Sequence, residues 1–323
     1  MKIIKPSHQL MLHDNDPYKH IERIGRICYR SEDSITETSA EPFCKRMFGS
    51  GHHAMLEHYR FIVIIDQIDY EYLINNRYRK YITFTDYNDR YMVSASARGF
   101  HDMYNNIDMD IKSGNLNDID TEMAKCAKEI IEDIVHKVID EYHCPMIFAE
   151  HFRQYDDVHP CMHVVKDFSE LSKEEYGWHA WYSIHFVCDR GVSHEMVRHR
   201  DAAFAQESTR YCNYNNGRFG GEITVIDPMF WEEDSEEYRL WWLNCKHSEE
   251  AYNNLIRCGA KAQEARSVLP SSLKTEIVIT AQVYEWKHIF NLRVLGTTGA
   301  PHPQIKEVMQ PAYNQMFREG YLR

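Results

Sequence analysis

The chain has no uninterrupted apolar run long enough to cross a bilayer, so no membrane span is expected. Its first residues, MKIIKPSHQLMLHDNDPY, lack the apolar core and small-residue cleavage site of a secretory signal. Positive charge is short as well: 37 Lys and Arg stand against 49 Asp and Glu, a formal net charge of -12. Nonspecific attraction to nucleic acid or to an anionic membrane is therefore not expected, and an anionic ligand needs a locally basic pocket. The 9 cysteines are odd in number and contain no CxxC pair. That spacing argues for reduced thiols in a cytoplasmic protein rather than a disulfide framework or a zinc ribbon. Internal repeats and low-complexity linkers are missing too.

What is present is ordinary for a globular protein: 43% hydrophobic and 27% charged residues over 323 positions, enough for one large domain or two smaller ones. KHIERIGRICYRSED places Ile21, Ile24 and Cys28 at helical spacing, and PFCKRMFGSG fits a short helix ending at glycine. RFIVIID reads as a buried strand, and WYSIHFVCD as a strand with one face buried. Between about 67 and 177 the one clear element is the helix DTEMAKCAKEIIEDIVHKVIDEY, with Met123, Ile130, Ile131, Ile134, Val135 and Val138 on its apolar face. GVSHEMVRHRDAAFAQESTRYCNY has helical spacing, and EITVIDP is strand-like. Helices are expected through WEEDSEEYRLWWLNCKHSEEAYNNLIRCG, AKAQEARSVLP, SSLKTEIVITAQVYEWKHIFNLR and PQIKEVMQPAYNQMFREG, the last with Pro303 in its first turn. The expected fold class is α+β, a few strands packed by several helices.

The densest chemistry lies where Arg198, His199 and Arg200 stand together and Ser208 and Arg210 follow, two to three turns on if the helix continues. Guanidinium groups are the preferred partners of phosphate because their planar fork makes two hydrogen bonds at once. A hydroxyl and nearby backbone N–H groups can complete such a cradle. A solvated basic patch is the competing reading of these residues taken alone.

RHR, seven residues and then Ser, as in RHRDAAFAQESTRY, resembles the signature of the flavin-dependent thymidylate synthases, the ThyX family. GHHAMLEH looks like that family's GHxxxxEH loop, EARSVLP like its ARxxLP helix start, and NLRVLGTTGAPHPQ like its NLR…H…Q segment. The resemblance covers roughly residues 15–66 and 178–320. It implies a ThyX-like fold: one catalytic domain over 1–323, a small antiparallel sheet packed by helices, and an insertion at about 67–177. It also implies reductive methylation of dUMP to dTMP, with FAD as hydride carrier, methylene-tetrahydrofolate as one-carbon donor and NADPH as reductant. The partners it implies are dUMP and folate, with no metal, and a homotetramer.

Carried over residue by residue, the resemblance puts His52 and Glu57 near the flavin, and Arg198, His199 and Arg200 on flavin and nucleotide together. Glu195 falls where the family often has a glutamine facing the nucleotide. Gln206, Glu207, Ser208, Thr209 and Arg210 surround dUMP, with Arg210 on the phosphate. Arg266 comes from a neighbouring subunit, and the family brings RHR, Arg266 and Arg293 together only across subunit boundaries. Arg293 favours ionisation of the pyrimidine N3. Gln282, His288 and His302 are flavin contacts. The chain departs from the pattern at Ala54, Ala203 and Ala205, where hydroxyl or amide side chains are usual, and at Asp201, where an apolar residue is usual.

Ser208 reads as a binding group, since no general base is committed to it. Cys212 reads as structural rather than nucleophilic. HPCMH, His159 to His163, is a weak metal motif without further spaced ligands. The aromatic clusters YRLWWL and YEWKHIF read as packing. A metal-dependent hydrolase built on the histidines, or a nucleic-acid-binding module using RHR, are the readings from other classes; the acidic balance disfavours the second. Within the enzyme class the alternative is hydroxymethylation, or methylation of another pyrimidine nucleotide.

Overall fold

A computed structural model describes residues 1–144, 162–215 and 221–323. The chain divides into two compact units: Met1–Leu12, Ile24–Ser34 and Tyr182–Arg323 form one, and His13–Arg23 with Ile35–Trp181 the other. Helices and small, largely antiparallel sheets make up both, an α+β architecture.

The unit holding Ile35–Trp181 is built on a four-stranded sheet in the order Thr83–Tyr87, Arg90–Ser96, Arg60–Ile65, His163–Val164, antiparallel throughout. Arg60–Ile65 is inner, and Phe61 to Ile65 are all buried, as a continuous β-branched run demands. Its neighbour is a hairpin that the polar stretch TFTDYNDRY did not announce. Tyr87 pairs with Arg90, and Asn88 takes the positive φ of 57° that so tight a turn requires. Helix Ala97–Ser113 follows, capped by Ser96, whose side chain accepts from Gly99 N at 3.0 Å. Gly99 is needed there, because a Cβ would sit 3.0 Å from the Tyr81 carbonyl. Left-handed Gly114 ends that helix, and Asn117 caps the next, Asp118–Tyr142. Ala127, Ile131, Ile134, Val135 and Val138 of the second helix are wholly buried. Met123, expected on that face, is instead 36% exposed, because the buried stripe begins at the next residue, Ala124, and continues at Ala127, which turns Met123 outward.

The other unit carries a second four-stranded sheet, in the order Ser7–Met11, Trp181–Asp189, Lys274–Gln282, Ala202–Gln206, and a parallel pair, Lys2–Ile4 with Thr224–Ile226. Trp181–Asp189 and Lys274–Gln282 are the central strands. Trp181–Asp189 is buried along nearly its whole length rather than on one face. Two expectations fail here for one reason. AAFAQ was read as a continuation of a helix and is a strand, paired antiparallel from Ala202↔Ala281 to Gln206↔Ile277. KTEIVITAQ, read as helical, is its partner, and helix begins only at Val283. Sheet pairing overrides the helix preference of alanine, and the β-branched run of Lys274–Gln282 suits a strand. Around this sheet run helices Arg190–Met196, Glu236–Arg257, Val283–Phe290 and Pro303–Arg318, the last with proline in its first turn as expected. Val283–Phe290 passes into one π-helical turn, Asn291–Leu295, ended by left-handed Gly296. A Cβ there would lie 3.0 Å from the Gly299 carbonyl.

Among the described residues no helix is long and apolar enough to cross a membrane.

Candidate functional site

Asp189 ends a central strand and starts the site. Its carboxylate accepts the Val192 N–H at 2.7 Å, capping helix Arg190–Met196, and also Gln304 Nε2 at 3.0 Å. Burial raises its pKa against the backbone N–H groups of Val192 and Gly191. The helix runs only to Met196, so the RHR segment lies in the turn that returns the chain to strand Ala202–Gln206. Consecutive residues of a turn point in different directions, and the three separate accordingly. His199 is buried, while Arg198 and Arg200 are exposed. Among the described residues neither guanidinium has an ion-pair partner. Asp201, also exposed, pairs with neither of them.

Arg293, on the π-helical turn, reaches back to this segment. Its Nη1 donates to Glu195 Oε2 at 2.9 Å, its Nη2 to the Glu195 carbonyl at 3.2 Å, and its Nε to His199 Nε2 at 3.2 Å. Three donors of one rigid fork thus have three acceptors, and a side chain with several rotatable bonds is fixed. Arg293 and RHR therefore meet within one chain. The expectation that they come together only across subunit boundaries is corrected on that contact. Arg293 lies on the π-helical turn just past the end of the Val283–Phe290 helix. His199 Nδ1 lies 3.6 Å from Glu285 Oε1, and its ring meets that of His288 edge-on at 5.9 Å. His288 is exposed and Glu285 buried.

His199, Glu285 and His288 offer ligand atoms within 4.8 Å of one another, the arrangement among the described residues that comes nearest to a metal site. The bond from Arg293 argues against that use. A guanidinium only donates, so His199 Nε2 must be an acceptor, and a neutral ring then carries its proton on Nδ1, the nitrogen a metal would need.

A second group gathers at the end of strand Ala202–Gln206. Gln206 Nε2 donates to Ser193 Oγ at 2.9 Å and to Thr275 Oγ1 at 3.2 Å. Ser208 Oγ accepts from Arg210 N at 3.3 Å, and Arg266 Nη1 donates to Thr209 Oγ1 at 3.3 Å. Arg266 and the Ser208–Arg210 turn are therefore neighbours in one chain. Arg210 is exposed and lies 5.8 Å over the Tyr211 ring. Glu207 turns the other way: its carboxylate is buried, accepting from Lys274 Nζ at 2.8 Å and from the Tyr214 hydroxyl at 3.4 Å. Nothing in the motif distinguishes this inward glutamate from its outward neighbours. Cys212 is wholly buried in an apolar cluster with Tyr214, Ile223 and Tyr252, and burial pushes its thiol up to about 11. A thiol so protonated is a structural one.

Gln282 is buried at the junction of strand and helix Val283–Phe290, and exposed His302 precedes helix Pro303–Arg318, its ring 5.8 Å from Phe230. Ala203 and Ala205 are buried in the sheet. His52 and Glu57 belong to the other unit. There His52 precedes the 3₁₀ turn His53–His58, and Glu57 accepts from Arg98 Nη1 at 2.6 Å, with Arg98 Nε also on Asp102 at 3.1 Å. Burial raises the Glu57 pKa against the pull of Arg98. His159 and Cys161 of HPCMH lie outside the described residues, while His163 is exposed, 3.9 Å from Glu170. Glu285, Lys274 and Arg98 were not singled out from sequence. Only Glu285 had a readable signal, its spacing of three residues from His288 on one helical face.

Residues 163–319 match the family model described as "Thymidylate synthase complementing protein". Similar curated proteins include the flavin-dependent thymidylate synthase of Pyrococcus furiosus, 34% identical over 136 residues, which are 42% of this chain and 54% of that protein. That of Pyrococcus horikoshii is 39% identical over 107 residues, 33% of this chain and 43% of that protein. That of Geobacter sulfurreducens is 31% identical over 104 residues, 32% of this chain and 43% of that protein. The matched part thus spans about half the length of these relatives. The likeness to the thymidylate synthase complementing protein family thus rests on residues 163–319.

Proposed function

We propose that the protein is a flavin-dependent thymidylate synthase that methylates dUMP at C5 with methylene-tetrahydrofolate, FAD and NADPH. The observation that supports this most is the fixing of Arg293 by Glu195 and His199, three positions the resemblance assigns to one site. Arg198 and Arg200, exposed and without an ion-pair partner among the described residues, fit an anionic cofactor, whose phosphates need donors that the protein has not already used. FAD, when bound, supplies the hydride, and Arg198, His199, Arg200, Gln282, His288, His302, His52 and Glu57 are the residues proposed to hold it.

This chain's own share is positioning and charge. Arg210, Arg266 and Ser208 take the nucleotide phosphate, with Thr209 and Gln206 ordering that turn. Glu195 balances the charge of Arg293 while leaving its guanidinium directed at the pyrimidine. As negative charge develops at N3 and the adjacent carbonyl, Arg293 stabilises it without moving. Glu207 holds the strand end in place from beneath. We read the 67–177 segment as an elaboration of a single catalytic domain, and the active form as a cytoplasmic homotetramer with shared sites, acting on dUMP and folate and not on nucleic acid or membranes.

Turnover of dUMP with methylene-tetrahydrofolate, FAD and NADPH, with the product identified by mass, tests the reading. A reconstituted protein that shows neither a flavin absorption band nor dTMP ends it, and a product heavier by one oxygen replaces methylation by hydroxymethylation. Arg210→Ala bears on the phosphate assignment. A charge-assisted hydrogen bond is worth roughly 1.5–3 kcal/mol, so dUMP affinity should fall about ten- to a hundredfold and FAD affinity should fall less. Unchanged dUMP affinity, measured by calorimetry, removes Arg210 from the phosphate site.

A further inference from the structure

Guanidinium is the one group around His199 whose hydrogens are not in question, because it donates and never accepts. With Arg293 Nε 3.2 Å from His199 Nε2, that nitrogen presents its lone pair, and the ring proton resides on Nδ1. The ring cannot choose this form unaided, since an isolated imidazole can place its proton on either nitrogen. Among the described residues the one carboxylate in ion-pair range of His199 is Glu285, whose Oε1 faces Nδ1 at 3.6 Å. Both side chains are buried, His199 5% and Glu285 5% exposed, so water does not compete strongly for that proton. Glu285 sits on helix Val283–Phe290 next to fully buried Trp286, whose indole N–H donates to the Tyr182 carbonyl at 3.0 Å.

We infer that Glu285 is a positioning residue for the proposed reaction: its carboxylate keeps the His199 proton on Nδ1, so that Nε2 accepts Arg293 and the guanidinium stays aimed. This rests on the reading of Arg293 as the group that meets the pyrimidine. Take the carboxylate away, and the buried Nδ1–H loses the one carboxylate that faces it among the described residues. The proton then moves to Nε2, where two N–H groups confront each other and Arg293 leaves its place. Glutamine is a discriminating replacement. Because Arg293 holds Nε2 as an acceptor, the amide must turn its oxygen, not its nitrogen, to the Nδ1–H, and that conserves the arrangement.

The test has two arms. In the full-length protein with ¹⁵N-labelled histidine, the His199 signals, assigned by their loss in His199→Gln, should show Nε2 unprotonated and Nδ1 protonated. Glu285→Ala should move the proton to Nε2 and lower kcat about 10- to 100-fold, by analogy with the loss on removing the carboxylate that orients a metal-bound histidine. KM for dUMP and the flavin content should stay within about threefold of wild type, and Glu285→Gln should recover most of the lost kcat. Wild-type protein with Nε2 protonated overturns the inference, as does Glu285→Ala with kcat within threefold of wild type. If Glu285→Ala does not fold, the wild-type spectrum and Glu285→Gln decide: a Gln variant as slow as a His199 variant overturns it. A wild-type protein that binds flavin but makes no dTMP defeats the functional reading alone, and the ¹⁵N spectra of wild type and Glu285→Ala still decide whether Glu285 sets the ring.

Discussion

Arg293→Ala is expected to lower kcat for dTMP formation by about 10²–10³, with flavin content unchanged and KM for dUMP little altered. The magnitude is that of removing one preorganised donor from a site where charge develops, about 2.7–4 kcal/mol of barrier. Arg293 qualifies because its cost of ordering is met before substrate arrives: all three of its bonds, to Glu195 Oε2, the Glu195 carbonyl and His199 Nε2, exist in the free chain. The same geometry makes lysine a poor substitute. An ammonium on a flexible stem cannot span acceptors on two residues in fixed directions, so Arg293→Lys should recover less than about tenfold of the loss. Steady-state kinetics on the flavin-loaded variants decide this. A kcat for Arg293→Ala within tenfold of wild type would show that the anchored guanidinium does not meet the reacting ring.

The features legible in the sequence were those whose signal is local. Arg60–Ile65 is an unbroken β-branched run, and Asp118–Tyr142 repeats apolar residues at helical spacing over seven turns. Pro303 marks a helix start by its missing N–H. What stayed hidden depends on partners far away in the chain. Ala202–Gln206 has no β-branched residue at all, and it is a strand because Lys274–Gln282 offers it an edge. The Thr83–Ser96 hairpin is polar on one face and escaped for the same reason. For the site, the clustering of Arg198, His199 and Arg200 was legible and the resemblance added Arg266 and Arg293, yet neither can tell an outward arginine from an inward histidine. Burial distinguishes them. The supporting acids show this most clearly: Glu285 lies under His199 from 86 positions away, and no local pattern relates the two.

The largest expected loss of stability comes from Lys274. Lys274 is 7% exposed and its ammonium serves two carboxylates, Glu207 Oε2 at 2.8 Å and Glu276 Oε1, while the other Glu276 oxygen, Oε2, lies 2.9 Å from His185 Nε2. Lys274→Met keeps the length of the side chain and removes the charge, leaving Glu207 with no exposure and no cation. Breaking a buried pair in this way costs about 3–5 kcal/mol, whereas replacing both partners by groups of similar volume is often neutral. Urea unfolding should therefore show Lys274→Met destabilised by about that amount, and Lys274→Met/Glu207→Gln restored by more than half of it. Acid provides an independent check. Burial alone would raise the Glu276 carboxyl, but the bond from His185 and the charge of Lys274 outweigh it and bring the pKa from 4.5 down to about 2. A carboxyl with a depressed folded pKa stabilises fully above its unfolded value, and that contribution fades as pH falls from about 4.5 to about 2. Without the lysine the folded pKa rises toward the unfolded one, so Lys274→Met should lose less further stability across that window than wild type does. A single variant within about 1 kcal/mol of wild type, or a double variant no more stable than the single, would mean that the lysine does not hold these two strands by charge.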